Sequence, residues 1–234
     1  MDPARSAAAL EHEIARVEAL LRDASAHDWS RSLTTCPRWE LADLVGHLGG
    51  VHRWVVGAVR EGHGRTESTP PPAEGLAGWF DEGARELRET IAVDPATPAW
   101  TFERGDRTVG FWQRRQVHEH TVHRVDVELA LVGETSPVTV DVAADGVAEV
   151  VEVFVPRRLA KGWLDPIPAA VRLVATDAPV EVVIGDGDPV AQVSAPAADL
   201  YLALWQRISL DDERTTYAGD EVVPREVLRM PLTP

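Results

Sequence analysis

The stretch from Arg114 to Glu128 reads RRQVHEHTVHRVDVE and places three histidines and a glutamate within six positions. Apolar residues recur at helical steps through and around it, so the stretch is predicted to lie inside a helix. In such a helix Glu119 and His123 are one turn apart, separated by roughly 40° around the axis. Both side chains can therefore reach one cation, which indicates metal-binding chemistry of the kind found inside four-helix bundles.

The other two histidines of the stretch fit this pattern less well. His118 and His123 are five residues apart and diverge by about 140° around the helix, so they do not easily share a cation. The spacing of zinc metalloproteases, two histidines four residues apart with a glutamate between them, is therefore absent. We predict flanking positions for His118 and His120 and keep contact with a substrate as the alternative for each.

The composition limits the classes of partner. The net charge is −15, from 38 acidic against 23 basic residues, and such a field repels nucleic-acid phosphates and anionic lipid. No apolar run approaches the roughly 20 residues of a membrane span, and the N-terminus lacks the pattern of a signal peptide. We therefore predict a cytoplasmic protein that binds neither nucleic acid nor membrane. Cys36 is the only cysteine, so any metal must be bound by histidine and carboxylate.

Four helical segments precede a change in periodicity. Apolar residues recur at three- and four-residue steps over residues 4–26, 38–60, 75–91 and 109–131. Thr34 to Pro37 offer a capping hydroxyl and an early proline, so the second helix is predicted to start directly after them. Glycine and proline over residues 62–74 predict a loop. The economical arrangement is an up-and-down four-helix bundle over residues 1–134.

Residues 135–234 are predicted to form a small α+β domain. Periodicity and β-branched runs predict a helix, three strands and two further helices, over residues 141–159, 171–175, 180–184, 189–193, 195–207 and 224–229. The tetrad from Gly185 to Asp188 lies between the second and third strands and predicts a hairpin turn there. The fold class is therefore α+β with two domains.

A further candidate ligand lies on the helix over residues 38–60. His47 is three residues beyond Leu44 and four before Val51, which places it on or beside the buried stripe of that helix. His52 is five residues further along and points elsewhere, by roughly 140°. Taken alone, a histidine on an apolar face is more often a core residue than a metal ligand.

Two segments resemble the mycothiol-dependent maleylpyruvate isomerase family. They read TCPRWELADLVGH at residues 35–47 and FWQRRQVHEHTVHRVD at residues 111–126. LWQR at residues 204–207 looks like the signature of the family's second domain. The resemblance covers nearly the whole chain. It implies a DinB-like four-helix bundle followed by a C-terminal α+β domain.

The resemblance assigns zinc to the matching positions, which are His47, Glu119 and His123. Two histidines and one carboxylate leave a coordination position open, as in catalytic zinc sites. The same ligand set also suits non-haem iron as a facial triad, and another divalent ion is a further alternative; zinc is preferred on the resemblance. A thiol coordinated by such an ion is deprotonated, so the implied cosubstrate, mycothiol, would react as a thiolate.

The implied reaction is the cis–trans isomerisation of an unsaturated diacid. The mycothiol thiolate would add to the cis double bond, allow rotation about the resulting single bond, and leave from the trans product. Arg207 matches an arginine implicated in activity. It is predicted to hold a carboxylate of the substrate through two hydrogen bonds and to take part in binding the cofactor. Its alternative is a helix-terminal arginine that serves the helix dipole. Asp126 could orient a ligand imidazole, with a surface salt bridge as its alternative.

Two other functions stay open. One is a mycothiol S-transferase, in which the same thiolate attacks an electrophile and remains attached to the product. The other is a non-catalytic module that binds a metal or a thiol, such as a sensor or carrier. Stoichiometric consumption of mycothiol distinguishes the transferase from the isomerase, and turnover distinguishes both from the binding module.

Overall fold

The computed structural model describes residues 3–65 and 70–234, and the chain divides into two compact units at residues 1–136 and 137–234. The first unit is helical, and the second combines a four-stranded sheet with helices. The predicted two-domain α+β fold class is therefore confirmed. The boundary was predicted after Glu134, and the division lies after Ser136; both positions follow the fourth long helix.

The described part of the first unit contains four long helices. They are α1 (Pro3–Asp23), α2 (Leu41–Arg60), α3 (Leu76–Ile91) and α4 (Val109–Leu131), with a short 3-10 turn at Asp28–Ser30. The bounds of α3 and α4 agree closely with the prediction, because extended apolar periodicity determines both. The predicted loop at 62–74 includes residues 66–69, which lie outside the described residues. Among the described residues, no helix has the length and apolar character needed to cross a membrane.

The start of α2 differs from the prediction. Residues 34–36 bend, and a turn over residues 36–39 follows, closed by a hydrogen bond of 2.8 Å from Trp39 N to Cys36 O. The helix begins after Glu40 because Glu40 and Asp43 form a capping box, in which the Asp43 carboxylate accepts a hydrogen bond from Glu40 N at 2.9 Å. The prediction was wrong because proline and hydroxyl residues favour turns as well as helix starts.

The direction of α3 also differs from the predicted up-and-down order. The contacts between α2 and α3 advance in the same direction along both helices. A Cβ on Gly49 would lie 2.2 Å from the Trp79 ring, and a Cβ on Gly83, further along α3, would lie 3.2 Å from Cβ of His52, further along α2. The helices α2 and α3 therefore run parallel. The connection over residues 61–75 explains this arrangement. It can extend over about 50 Å, whereas α2 is about 30 Å long, so the chain can return to the level where α2 began.

The middle of α4 is buried on nearly all its faces. Residues 115–128 are buried apart from Glu119, which is partly exposed. A helix of this kind needs internal partners for its polar side chains. Arg124, with 1% of its surface exposed, forms ion pairs with Glu13 of α1 and Glu128 of α4. These contacts join α1 to α4 within the core.

Two adjacent glycines of α2 allow a test of the close packing between α2 and α3. Gly49→Ala is expected to destabilise the protein by about 1–3 kcal/mol, because its Cβ would overlap the Trp79 ring. That ring has little freedom to move, since the Arg53 guanidinium stacks 3.9 Å from its centroid. The free energy of unfolding in urea measures the effect.

The neighbouring glycine supplies the matched control. A Cβ on Gly50 meets nothing within 4 Å, so Gly50→Ala is expected to stabilise the helix by about 0.5–1 kcal/mol. Equal stability of the Gly49→Ala variant and the wild-type protein would contradict the packing described here.

The second unit combines helices with short strands. Its elements are α5 (Val140–Glu149), a π-helical segment (Val150–Phe154), α6 (Val155–Lys161), β1 (Val171–Ala175), β2 (Glu181–Ile184), β3 (Ala191–Ala195), α7 (Ala197–Leu204), β4 (Thr216–Gly219) and α8 (Val222–Arg229). The helix predicted at 141–159 is thus present, with one widened turn. Pro156 accounts for this turn, because proline cannot donate to the preceding turn and its ring clashes with the carbonyl there.

The strand order corrects one part of the prediction. The order is β2-β1-β3-β4, with β1 antiparallel to β2 and parallel to β3, and β4 antiparallel to β3. The hairpin predicted at Gly185–Asp188 was wrong, because β2 and β3 lie on opposite sides of β1. A turn does form there, with Gly185 at φ 94° and Gly187 at φ 89°. Turn residues locate a change of chain direction but do not determine which strands pair.

Candidate metal centre

Three side chains from two helices converge in the first unit. His47 lies on α2, and Glu119 and His123 lie one turn apart on α4. One ligand atom from each residue lies within 4.8 Å of the other two. The structure therefore brings together the three residues that the sequence selected as ligands.

Hydrogen bonds hold the carboxylate between the imidazoles. Glu119 Oε1 lies 2.9 Å from His47 Nε2 and 3.5 Å from His123 Nε2, and Glu119 Oε2 accepts a hydrogen bond from Arg115 at 2.8 Å. His123 Nδ1 donates to the buried Asp126 carboxylate at 2.8 Å. This bond fixes the tautomer of His123, so that the lone pair of Nε2 faces the cluster.

The cluster is most open to solvent at His47. The His47 side chain is 36% exposed, against 14% for Glu119 and 11% for His123. The Trp39 ring lies 5.1 Å from the His47 ring and covers part of it. A small molecule can therefore approach the three ligand atoms from this side.

The charge of Glu119 is determined by opposing effects. Burial raises the pKa of this carboxyl, but the hydrogen bond from His47 and the electrostatic interactions with His123 and Arg115 set the pKa well below its usual value. Glu119 is therefore ionised at neutral pH. A partly buried carboxylate with such neighbours is typical of a functional site.

The donor set fits a divalent transition metal. Zinc binds histidine and carboxylate at about 2.0–2.2 Å, so two ligand atoms of a tetrahedral site lie about 3.3–3.5 Å apart. The Glu119 oxygen lies at 2.9 Å and 3.5 Å from the two imidazole nitrogens, which is close to that separation. The same residues also suit iron(II).

Two further histidines form a buried pair that was not predicted. The Nε2 atoms of His52 and His120 lie 2.8 Å apart, and the two ring planes are nearly parallel, at an interplanar angle of 7°. Neither residue has exposed surface. Burial lowers the pKa of both imidazoles, that of His120 to about 4. Both rings are therefore neutral at neutral pH.

A sequence signal for this pair existed. Leu48 and Val56 each lie four residues from His52, so His52 also belongs to an apolar stripe of α2. His118 is buried on α4 as well, outside the three-residue cluster. The α4 sequence has no polar face, so its periodicity alone could not separate buried from exposed histidines.

Arg207 lies in the second unit, two residues after Trp205, the C-cap of α7. It lines a cleft of about 420 Å³ together with Arg225 and Arg229. The preceding residue, Gln206, has φ 60°, and its side chain donates to Met230 O at 2.9 Å. A left-handed conformation in a non-glycine residue is a strained feature that occurs preferentially at functional sites. The role of Arg207 itself stays a prediction.

Comparison with known families accounts for both units. Residues 10–128 match the family described as Mycothiol maleylpyruvate isomerase N-terminal domain, and residues 141–225 match the family described as MDMPI C-terminal domain. The chain belongs to the mycothiol maleylpyruvate isomerase family. The family resemblance of the sequence is thereby confirmed. Membership in the mycothiol maleylpyruvate isomerase family also identifies the protein as an enzyme, as predicted.

Solved structures agree with this family assignment at the level of the fold. A crystal structure of the mycothiol-dependent maleylpyruvate isomerase has 12% sequence identity and a TM-score of 0.67, covering 94% of this chain and 95% of that chain. A crystal structure of a histidine-to-alanine mutant of that enzyme has 11% identity and a TM-score of 0.63, with the same coverage. At these identities the likeness shows the fold alone. A comparison with curated protein sequences gives no match.

Proposed function

We propose that the protein is a mycothiol-dependent zinc enzyme that isomerises a cis-unsaturated diacid related to maleylpyruvate. The observation that carries the proposal is the convergence of His47, Glu119 and His123 within 4.8 Å, in a chain of this family. Three protein ligands favour a catalytic ion over a structural one, which would take four. We also propose that the enzyme acts in the cytoplasm, as the sequence predicts.

The three ligands depend on neighbours that keep them in place. The carboxylate of Asp126 accepts the Nδ1 proton of His123 and so increases the basicity of its Nε2. Arg115 holds the second oxygen of Glu119, which leaves Oε1 directed at the imidazoles. A zinc ion at this position would supply one chemical effect, the deprotonation of a coordinated thiol at neutral pH.

The proposed reaction leaves mycothiol unchanged overall. Its sulfur forms a bond to one carbon of the cis double bond, and the electron pair of that double bond moves towards the adjacent carbonyl. Rotation then occurs about the resulting single bond. Return of the electron pair breaks the carbon–sulfur bond, releases the thiolate and forms the trans double bond. No proton or electron has to be supplied from outside.

We propose that Arg207 binds a carboxylate of the diacid and also takes part in binding mycothiol. A guanidinium matches the two oxygens of a carboxylate, which a lysine ammonium cannot do. Arg229 lines the same cleft, as do Arg225 and its ion-pair partner Asp211, so the cleft keeps a net positive charge that supports an anionic ligand. The strained backbone of Gln206 supports a functional role for this segment.

The test uses the zinc-loaded protein with mycothiol and a panel of cis-unsaturated diacids and electrophiles, followed by mass spectrometry and proton NMR. We expect the trans diacid to form over many turnovers while the concentration of mycothiol stays constant. A product that carries the thiol, with mycothiol falling in equal amount, would instead establish an S-transferase. Binding of zinc and mycothiol without conversion of any compound would indicate a non-catalytic module.

Two controls belong to this test. Protein treated with a chelator should be inactive and regain activity when zinc is restored. The Cys36→Ser variant should retain most activity, because the reacting thiol belongs to mycothiol and not to the chain. Complete loss of activity in Cys36→Ser would assign the nucleophile to the protein and contradict the proposal.

A further inference from the structure

The buried pair of His52 and His120 has no part in the proposed ligand set, yet it joins the same two helices. His52 lies on α2 and His120 on α4, and the contact of 2.8 Å between their Nε2 atoms is a hydrogen bond. Burying polar groups between two helices costs free energy that an apolar contact would not, unless the groups are hydrogen-bonded to each other. The position of this pair beside the cluster therefore suggests a role for it.

The hydrogen-bond partners fix the tautomer of each ring. His120 Nδ1 lies 2.8 Å from Gln116 O, and a carbonyl oxygen can only accept, so the proton of His120 is on Nδ1. His120 Nε2 is then a bare acceptor, and His52 Nε2 must be the donor. His52 Nδ1 consequently carries a lone pair, and it is buried without a hydrogen-bond partner. One particular arrangement of protons is therefore built into this contact.

The rings are held from several sides. The Phe80 ring of α3 packs 4.9 Å from the His52 ring. A Cβ on Gly83 would lie 3.0 Å from His52 Nδ1, so the backbone of α3 approaches the ring as closely as glycine permits. His52 therefore has no room to turn away from His120.

The ligands of the cluster differ in how they are fixed. Glu119 and His123 share one helix, so the helix itself sets the distance between them. His47 is the ligand from α2, and its side chain is the most exposed of the three. Its position relative to the other two depends on how α2 lies against α4. His52 is five residues from His47, about 7.5 Å along the axis, and His120 directly follows Glu119.

We propose that His52 and His120 are positioning residues, which hold α2 against α4 so that His47 meets Glu119 and His123. Metal binding by the cluster rests on the proposed function, whereas the fixed position of α2 against α4 does not. A ligand constellation has to be held within about 0.5 Å of its working geometry, and a hydrogen bond of fixed direction does this better than apolar packing.

The test compares two substitutions of the same residue. His52→Phe keeps an aromatic ring but removes the donor, and His52→Gln replaces the donor with a side-chain amide N–H. In His52→Phe we expect the dissociation constant for zinc, measured by competition with a chromophoric chelator, to rise by about tenfold or more. In His52→Gln we expect it to stay close to the wild-type value.

A metal-free measurement makes the result independent of the proposed function. In hydrogen exchange of the chelator-treated protein, His52→Phe should lose protection at residues 44–52 and 116–123, and His52→Gln should keep it. Leu21→Ala, a buried position on α1, is the control for general loss of stability: it should leave zinc affinity unchanged and lower protection evenly across the helices, with no greater loss at residues 44–52 and 116–123.

The outcomes separate cleanly. Wild-type exchange protection in His52→Phe would overturn the positioning role whether or not zinc binds. If His52→Phe lowered zinc affinity no more than Leu21→Ala does, and lost exchange protection evenly along the helices, the pair would be ordinary core and the proposal would also be overturned. A wild-type protein that binds no zinc would refute the metal part of the proposed function, while the exchange data would still decide the role of the pair.

Discussion

Replacing His123 with alanine is expected to lower the affinity of the protein for zinc by about a hundredfold or more, and to abolish turnover. The loss of one of three protein ligands removes on the order of 3 kcal/mol of binding free energy, and each 1.4 kcal/mol is about tenfold in affinity. His123 is also the ligand that Asp126 orients through its Nδ1 hydrogen bond. Competition with a chromophoric chelator measures the affinity, and elemental analysis measures the metal content.

An exposed histidine supplies the control for this prediction. His12 lies on the exposed side of α1, so His12→Ala should bind zinc as the wild-type protein does. The wild-type protein, purified without added metal, should contain close to one equivalent of a divalent transition metal. A content below about half an equivalent, or unchanged affinity in His123→Ala, would refute the assignment of the cluster as a metal site.

The second large effect is expected at Arg124, away from the cluster. Arg124→Ala should destabilise the first unit by about 3–5 kcal/mol, because it leaves Glu13 and Glu128 as buried carboxylates without this partner. Arg16 also pairs with Glu128, at 2.7 Å, and keeps part of the compensation. Denaturant unfolding, monitored by tryptophan fluorescence, measures the change.

A surface ion pair of the same chemistry is the matched control. Arg85 pairs with Glu89 at 3.0 Å, and both side chains are more than half exposed, at 65% and 59%. Arg85→Ala should change the free energy of unfolding by no more than about 0.5 kcal/mol. A loss at Arg124→Ala as small as that at Arg85→Ala would show that the buried network does not stabilise the fold.

The sequence predicted those features that depend on local periodicity. The α4 helix is long and continuous, so its bounds and the relation of Glu119 to His123 follow from helical geometry alone. His47 entered the prediction as one histidine on an apolar stripe, and only the family resemblance joined it to the other two. The periodicity of a single sequence gives no information on the distance between residues of different helices. A resemblance to a known family does, because it predicts which residues share a site.

Most features that the sequence did not predict depend on contacts between elements, whereas the start of α2 at its capping box is a local exception. The parallel course of α2 and α3 depends on packing at Gly49 and Gly83, and the position of β1 between β2 and β3 depends on pairing along the strands. The contact between His52 and His120 is of the same kind, since each residue is unremarkable within its own helix. Only the way the helices pack reveals that these two side chains meet.

The greater exposure of the His47 imidazole has a consequence for handling the protein. If the cluster binds a metal as proposed, water and small chelators reach it first at this ligand, so an ion could leave and another could enter without unfolding of the bundle. Nitrogen and oxygen ligands of this kind bind copper(II) more tightly than zinc, whichever metal the protein uses in the cell. The ion found in a preparation will therefore reflect the supply in the growth medium and the buffers, and activity measured without control of trace metals will vary between batches.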